Sequence, residues 1–115
     1  MGFAEYSSGF SQSMGISSSS FYLNDHPAGT MISRNYYLGT EVPTPQINIP
    51  PTGAIRASIA DMSKYLRMVL AGGEADGSRI VTSQTLAAML TRQNGNVPLD
   101  FDSSFGMTWF LSDAD

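Results

Sequence analysis

The clearest pattern of apolar and polar positions lies in "SIADMSKYLRMVLAGG", residues 58–73. Apolar residues recur there at spacings of three and four, which predicts an amphipathic α-helix. Ser58, followed three residues later by Asp61, has the spacing of an N-terminal capping box. Gly72-Gly73 stand where a helix C-cap is expected. The apolar positions of this helix that we expect to face the core are Ile59, Met62, Tyr65, Leu66, Val69 and Leu70.

A second, shorter helix is predicted in "TSQTLAAML". Thr82 is its expected N-cap, because a threonine side chain there can accept a bond from a backbone N–H of the first turn. Between the two helices, "EADGSRIV" predicts a turn at Asp76-Gly77 and a short extended stretch. The residues expected to face the core are Leu86, Met89 and Leu90 of the helix, together with Ile80 and Val81 of the stretch.

The segment "SSFGMTWFL", residues 103–111, is rich in aromatic residues and is predicted to be one strand. Side chains alternate across a strand, so Phe105, Met107 and Trp109 are expected to share one face.

The first half of the chain shows weaker patterns. Apolar residues at Phe3, Tyr6, Phe10 and Met14 favour a helix from about Phe3 to Met14. The rest is expected to be loops, and "EVPTPQINIPPTG", with four prolines in thirteen residues, should be extended or turning and not helical. The best strand candidates are Met31-Ile32 and Tyr36-Tyr37-Leu38, the second closed by Gly39.

These elements predict an α+β chain with two or three helices, short strands and long loops. Its length of 115 residues suits a single domain. Residues 1–53 form a loop-rich half of that domain, and residues 54–115 a helix-helix-strand half.

Composition narrows the classes of function. The net charge is −4 and the six basic residues are scattered, which argues against nucleic-acid binding. Cysteine is absent, so disulfides, thiolate chemistry and cysteine-based zinc sites are excluded. No apolar run approaches the roughly 18 residues of a membrane span, and no signal peptide is recognisable, so localisation is left open.

Candidate catalytic residues are few. The triplet Tyr22-Leu23-Asn24 has the form of the Tyr-x-Asn element of serine β-lactamases and penicillin-binding proteins, and the only histidine, His26, follows closely. A Ser-x-x-Lys pair does not occur, because Asp61 stands three residues before Lys64, the only lysine. A Ser-His-Asp triad would have to use His26, which lies beside a proline in a loop, and one of sixteen serines, and we do not expect one.

Metal and phosphate sites are not predicted either. One histidine and no cysteine give no recognised set of ligands. The carboxylates of a conceivable calcium cluster are better interpreted as solvated charges; they are Asp100, Asp102, Asp113 and Asp115. "GGEADG", residues 72–77, follows a helix, whereas a phosphate cradle opens one. No catalytic residue, cofactor or metal ligand is therefore assigned.

The order of these segments resembles that of a known family. "PPTGAIRASIADMSKYLRMVLAGGEADGSRIVTSQTLAAMLTRQ" resembles the outline P-A-G-G-L-x-S-T-A-x-D-M-A-R-F-L, a Gly-Gly turn and I-L-S-x-E-T-L-x-x-M of the serine β-lactamase-related family. That family includes class C β-lactamases, D-Ala-D-Ala carboxypeptidases and family VIII esterases. "FGMTWFL" resembles its Y-G-L-G-W, with Thr108 at the second glycine. The residues that resemble positions of its F-x-E-Y…L-G-M…S-x-F segment are Phe3, Glu5, Tyr6, Met14 or Gly15, and Phe21.

The resemblance implies an internal fragment, mainly the helical subdomain of the β-lactamase/transpeptidase-like fold. The family's Ser-x-x-Lys and catalytic Tyr-x-Asn would precede it, and Lys-x-Gly or His-x-Gly would follow it. Tyr22-Leu23-Asn24 lies too late to be that catalytic element, and we expect Asn24-Asp25 to form a turn instead. The complete enzyme from which such a fragment derives, here called the parent, would hydrolyse a small amide or ester through an acyl-serine. Members of the family are often exported.

On this interpretation the fragment alone is inactive, and its leftover apolar surface favours self-association. Two alternatives remain open. One is a stand-alone interaction or oligomerisation domain that uses the Tyr, Phe and Met side chains and the arm from Glu41 to Gly53. The other is a small enzyme centred on His26.

Overall fold

The computed structural model describes residues 2–45, 47–93, 95–96 and 103–112, and within these ranges the chain is an α+β protein. Its α-helices are α1, Phe3–Ser13, α2, Ile59–Leu70, and α3, Ser83–Leu90. Its strands form three antiparallel pairs. They are β1, Asn35–Tyr37, with β2, Thr40–Val42; β3, Glu74–Ala75, with β4, Ser78–Arg79; and β5, Ser103–Phe105, with β6, Phe110–Ser112.

Caps at both ends set the limits of α2. The Ser58 hydroxyl accepts a 3.1 Å bond from the backbone N–H of Asp61, as expected of an N-cap. At the other end, Gly73 N–H donates to Met68 O and Gly72 N–H to Val69 O, with Gly72 at φ +69°. These two bonds form a Schellman motif, so the predicted helix and its glycine stop are confirmed.

The predicted orientation of α2 is wrong. Asp61 and Met68 are 2% and 3% exposed, whereas Ile59 and Leu70 are 87% and 86% exposed and Leu66 is also exposed. At 3.6 residues per turn, the buried and exposed sets lie on opposite faces. Of the predicted inward stripe, Met62, Tyr65 and Val69 are half-buried. The buried face of α2 therefore centres on Asp61 and Met68. It is not centred on the apolar stripe that the sequence predicted to face the core.

The helix α3 begins at the predicted N-cap. Thr82 Oγ1 accepts a 3.0 Å bond from Thr85 N–H, and Leu86 is buried. Met89 is half-buried, while Leu90 is exposed and not inward as expected. Ile80 and Val81 are both half-buried.

Two of the strand pairs are joined by two-residue turns. Asp76-Gly77, with φ +46° and +78°, links β3 to β4, and Leu38-Gly39, with φ +49° and +82°, links β1 to β2. Two successive positive φ values define the type I′ turn that suits a tight hairpin. The turn predicted at Asp76-Gly77 is confirmed. Tyr36 and Tyr37 lie in β1 as expected, but Leu38 is a turn residue and Met31-Ile32 is not a strand.

The predicted single strand over residues 103–111 is wrong, because these residues turn back on themselves. Gly106–Trp109 form a four-residue connection, closed by a 2.8 Å bond from Gly106 N–H to Trp109 O. Phe105 then pairs with Phe110, whose ring it meets edge-on at 5.3 Å. Phe105, Met107 and Trp109 therefore do not share a strand face.

The described part of the first half contains the helix α1 and two single turns of 3₁₀ helix, at Leu23–Asp25 and at Pro50–Thr52. The helix α1 matches the predicted span, but Phe3, Tyr6 and Phe10 are exposed, and of the predicted stripe Met14 is buried. The proline-rich segment carries one turn of 3₁₀ helix at Pro50–Thr52, which the expectation of no helix missed. Proline suits this position because the first N–H of a helix has no intrahelical partner in any case.

Backbone contacts divide the chain into two units, Met1–Leu66 and Arg67–Asp115. Among the described residues, the buried side chains of the first unit are Met14, Ala54 and Asp61, and those of the second are Met68, Leu86 and Ser104. Each unit thus has a small core.

Candidate functional site

The carboxylate of Asp61 is buried in the first unit and is surrounded by hydrogen-bond donors. It accepts bonds from Ser18 N–H at 2.7 Å, from the Ser19 hydroxyl at 2.9 Å and from Ser17 N–H at 3.5 Å. The Asp61 side chain therefore does not complete the predicted capping box. It fastens the serine-rich segment after α1 to the first turn of α2.

Several opposing effects set the pKa of Asp61. Burial acts to raise the pKa of its carboxyl, because an ionised carboxylate loses hydration. The bonds from Ser18, Ser19, Lys64 and Ser17 outweigh that effect and hold the pKa below its usual value of 3.8. Asp61 is consequently ionised at neutral pH, as a structural acceptor and not as a general acid.

Lys64 cannot serve as the base of a serine nucleophile in this arrangement. Its Nζ lies 3.3 Å from Asp61 Oδ1 and also donates to the backbone oxygen of Gly15. A lysine that activates a serine must instead accept the hydroxyl proton. The described contacts of Lys64 are those of a charge partner for Asp61.

His26 does not belong to a catalytic triad within the described residues. Both of its ring nitrogens are buried, and neither has a hydrogen-bond partner there. A triad requires a serine on one nitrogen and a carboxylate on the other. The geometry thus disfavours the interpretation of the chain as an enzyme centred on this histidine.

The turn expected at Asn24-Asp25 is confirmed. A single 3₁₀ turn covers Leu23–Asp25 and is closed by a 3.2 Å bond from Asp25 N–H to Tyr22 O. Just before it, the ring of Phe21 meets that of Phe3 edge-on at 4.8 Å and anchors the loop to α1.

A cleft in the first unit is the strongest candidate for a binding site. Its volume is about 620 Å³, within the range of small-molecule sites. The segment after the 3₁₀ turn, the proline-rich segment and the chain leading into α2 form its walls. The polar and charged side chains that line it are Ser18, His26, Thr30, Ser33, Asn35, Thr44, Arg56 and Ser58.

Arg56 is held firmly at this cleft. Its backbone exchanges two hydrogen bonds with Ser20, of 2.9 and 3.0 Å, and its guanidinium donates to the backbone oxygens of Ala54 and Pro45. Sequence reasoning missed this residue. The available signal was one arginine in the otherwise uncharged stretch from Pro43 to Ala60, which by itself points to no particular chemistry.

Three positions of the second unit make unusual demands on the backbone. A Cβ at Gly73 would overlap the backbone oxygen of Val81, and one at Gly106 would overlap that of Met89. Thr108 has φ +66°, a left-handed conformation that is rare for a β-branched residue. Two of these positions require glycine and the third favours it.

No metal centre is present in the described ranges, where no three of the His, Asp and Glu side chains are grouped as ligands. The four aspartates weighed for calcium, Asp100, Asp102, Asp113 and Asp115, lie outside the described residues. Residues 72–77 form a helix end and a hairpin turn, as expected, and not the start of a helix.

None of the described helices is long and apolar enough to cross a membrane. Comparison of the chain with protein-family models and with curated proteins found no match.

Proposed function

We propose that the chain is a non-catalytic segment of a serine hydrolase of the β-lactamase-related family. The parent would cleave a small amide or ester through an acyl-serine intermediate. The segment supplies structure to that enzyme and carries none of its reacting groups.

The observation that carries the proposal is the backbone conformation of Thr108. This residue stands where the pattern Y-G-L-G-W has its second glycine, and its φ of +66° is one that glycine adopts without strain. The first glycine of the pattern corresponds to Gly106, where a side chain has no room. The local geometry therefore suits the sequence pattern that the resemblance is based on.

The other residues of the resemblance also have structural roles that favour it. Asp61 is the buried acceptor that joins two segments, Gly72 forms the helix cap, and Gly73 packs against the backbone of Val81. Positions of this kind serve the fold of the chain. It gives no reason to assign a nucleophile or a base within the chain.

The amount of exposed apolar surface fits a segment that normally packs against neighbours. Among the described residues, the buried apolar side chains are only Met14, Ala54, Met68 and Leu86, and none of the described side chains is buried completely. Large apolar side chains such as Ile59, Leu70 and Leu38 are almost fully exposed. In the proposed parent, other parts of the enzyme cover them.

The same exposed side chains favour a second candidate function, a stand-alone domain that associates with itself or with another protein. Contiguous exposed apolar surface is typical of protein interfaces. The two proposals differ in what lies beside the segment in the gene, since only the first requires catalytic motifs on both sides.

Catalytic inactivity can be tested on the purified chain. We expect no hydrolysis of nitrocefin or of p-nitrophenyl acetate and butyrate above the buffer rate, and no covalent labelling by a fluorescent penicillin. A class C β-lactamase assayed in parallel controls for the reagents. Turnover that survives complete purification and is abolished by His26→Ala would overturn the proposal and favour the enzyme centred on His26.

A further inference from the structure

The cleft of the first unit combines an apolar wall with one fixed cation. Met31, Ile32, Ile47 and Ile55 contribute apolar surface, and Arg56 lines the same cleft. Apart from His26, the other polar side chains of this lining are uncharged, so the cleft offers both an apolar surface and polar groups that can orient a ligand.

Arg56 has no carboxylate partner among the described residues, whereas three other cations each have one. Arg34 pairs with Glu41, Lys64 with Asp61 and Arg79 with Glu74. The two bonds that Arg56 donates go to backbone oxygens, which leave its positive charge uncompensated. A guanidinium has five N–H donors. These two bonds position the group, and its other N–H donors remain available to a ligand.

The charged side chain that lines the cleft is positive, whereas the whole chain has a net negative charge. The chain has ten acidic and six basic residues, yet no aspartate or glutamate is among the described residues that line the cleft. A ligand with a negative charge would therefore meet attraction from Arg56 without repulsion from a neighbouring carboxylate.

We propose that this cleft binds a small organic carboxylate, with the carboxylate on the Arg56 guanidinium and the apolar part of the ligand against Met31, Ile32 and Ile55. The planar fork of a guanidinium matches a carboxylate with two parallel hydrogen bonds. Because the Arg56 backbone is fixed to Ser20 and its side chain to Ala54 and Pro45, little ordering is required on binding. The inference concerns this chain alone and does not depend on the family proposed above.

Titration of the ¹⁵N-labelled chain with benzoate and with benzamide tests the charge requirement. The two probes have the same ring and nearly the same shape, but only benzoate is an anion. We expect benzoate to shift the amide signals of residues that line the cleft, among them Thr30, Ser33 and Ala57, and to bind at least tenfold more tightly than benzamide. Equal binding of the two probes, or no saturable shift with benzoate, would overturn the proposal.

Variants then test the role of Arg56 itself. We expect Arg56→Gln to weaken benzoate binding roughly tenfold, the equivalent of about 1.4 kcal/mol, and Arg56→Lys to weaken it less. Arg79→Gln is the matched control, because Arg79 lies outside the cleft and should leave benzoate affinity unchanged. Undiminished binding by a folded Arg56→Gln variant contradicts the proposal. If that variant does not fold, the comparison of benzoate with benzamide on the native chain decides alone.

Discussion

At the scale of single residues, two side chains have opposite effects on the stability of the fold. Thr108 occupies a left-handed conformation, which costs a non-glycine residue about 1–2 kcal/mol. Asp61 is an ionised group in the core, tolerated because backbone and side-chain donors surround its carboxylate. Thr108 therefore destabilises the fold, and Asp61 stabilises it.

Replacement of Thr108 by glycine should stabilise the chain. The relief of the left-handed strain outweighs the 0.5–1 kcal/mol that glycine loses through greater freedom of the unfolded chain. We expect Thr108→Gly to raise the free energy of unfolding by about 0.5–1 kcal/mol, measured by urea denaturation. Thr91→Gly, at an ordinary φ of −85°, is the control and should lower it. A Thr108→Gly variant less stable than the native chain would contradict the assigned conformation.

Asp61 should make the stability of the chain sensitive to acid. Its pKa is lower in the folded chain than in the unfolded chain, so its contribution is complete above the unfolded value of about 4. The contribution is lost as pH falls from there through the folded pKa. We expect Asp61→Asn to lower the free energy of unfolding at pH 7 by about 1.5–3 kcal/mol, because hydrogen bonds to a charged acceptor are lost.

The measurement for Asp61 is urea denaturation at a series of pH values from 7 down to 2.5. The difference between the native chain and Asp61→Asn should shrink below pH 4. The exposed residue Asp25 supplies a control, since Asp25→Asn should change stability by less than about 0.5 kcal/mol. A difference that stays constant over the whole pH range would rule out this role for Asp61.

At the scale of elements, the sequence predicted where the helices end better than it predicted which face of each helix is buried. Ser58, Thr82 and Gly72-Gly73 act locally, through bonds to backbone groups a few residues away, and sequence spacing is enough to identify them. The rotation of α2 depends on the distant segment 17–19, which binds Asp61. Apolar periodicity carries no information about such a partner, and it therefore assigned Ile59 and Leu70 to the wrong side.

The β5–β6 hairpin was missed for a related reason. Its turn needs a positive φ, and the usual sign of that, a glycine or asparagine, is replaced by Thr108. The alternation of Phe105, Met107 and Trp109 was then mistaken for one continuous strand. The signal that could have revealed the turn is Gly106, where the structure leaves no room for a side chain.

The two glycines that end α2 should differ sharply in their tolerance of alanine. Gly72 has a left-handed φ but open space around it, so Gly72→Ala should cost about 1 kcal/mol. Gly73→Ala would also overlap the oxygen of Val81 and should cost about 2–4 kcal/mol, because backbone must move. Thermal unfolding of both variants measures the difference. Equal costs would mean that the approach of Val81 to Gly73 is not part of the native structure.

At the scale of the whole molecule, exposed apolar side chains outnumber buried ones among the described residues. The sequence predicted leftover apolar surface, but on the grounds of a resemblance and not of the pattern itself. The candidate cleft could not be predicted, because its lining comes from segments far apart in the sequence that show no regular periodicity.

This surface should make the isolated chain associate with itself. We expect the sedimentation coefficient to rise with protein concentration, since association removes apolar surface from water. The double variant Ile59→Gln/Leu70→Gln should shift association to higher concentrations, while Gln84→Ser, a polar replacement at an exposed site, should not. A sedimentation coefficient independent of concentration would contradict self-association of the isolated chain and would leave another protein as the partner of a stand-alone domain.

The central claim is that this chain is a segment of a β-lactamase-related serine hydrolase. The most direct test is to determine the coding sequence on either side of it in the genome. The account predicts an open reading frame that continues through both ends. It should encode Ser-x-x-Lys and then Tyr-x-Asn upstream, and Lys-x-Gly or His-x-Gly shortly downstream. A reading frame that encodes residues 1–115 without these motifs would contradict the claim and leave a stand-alone interaction domain.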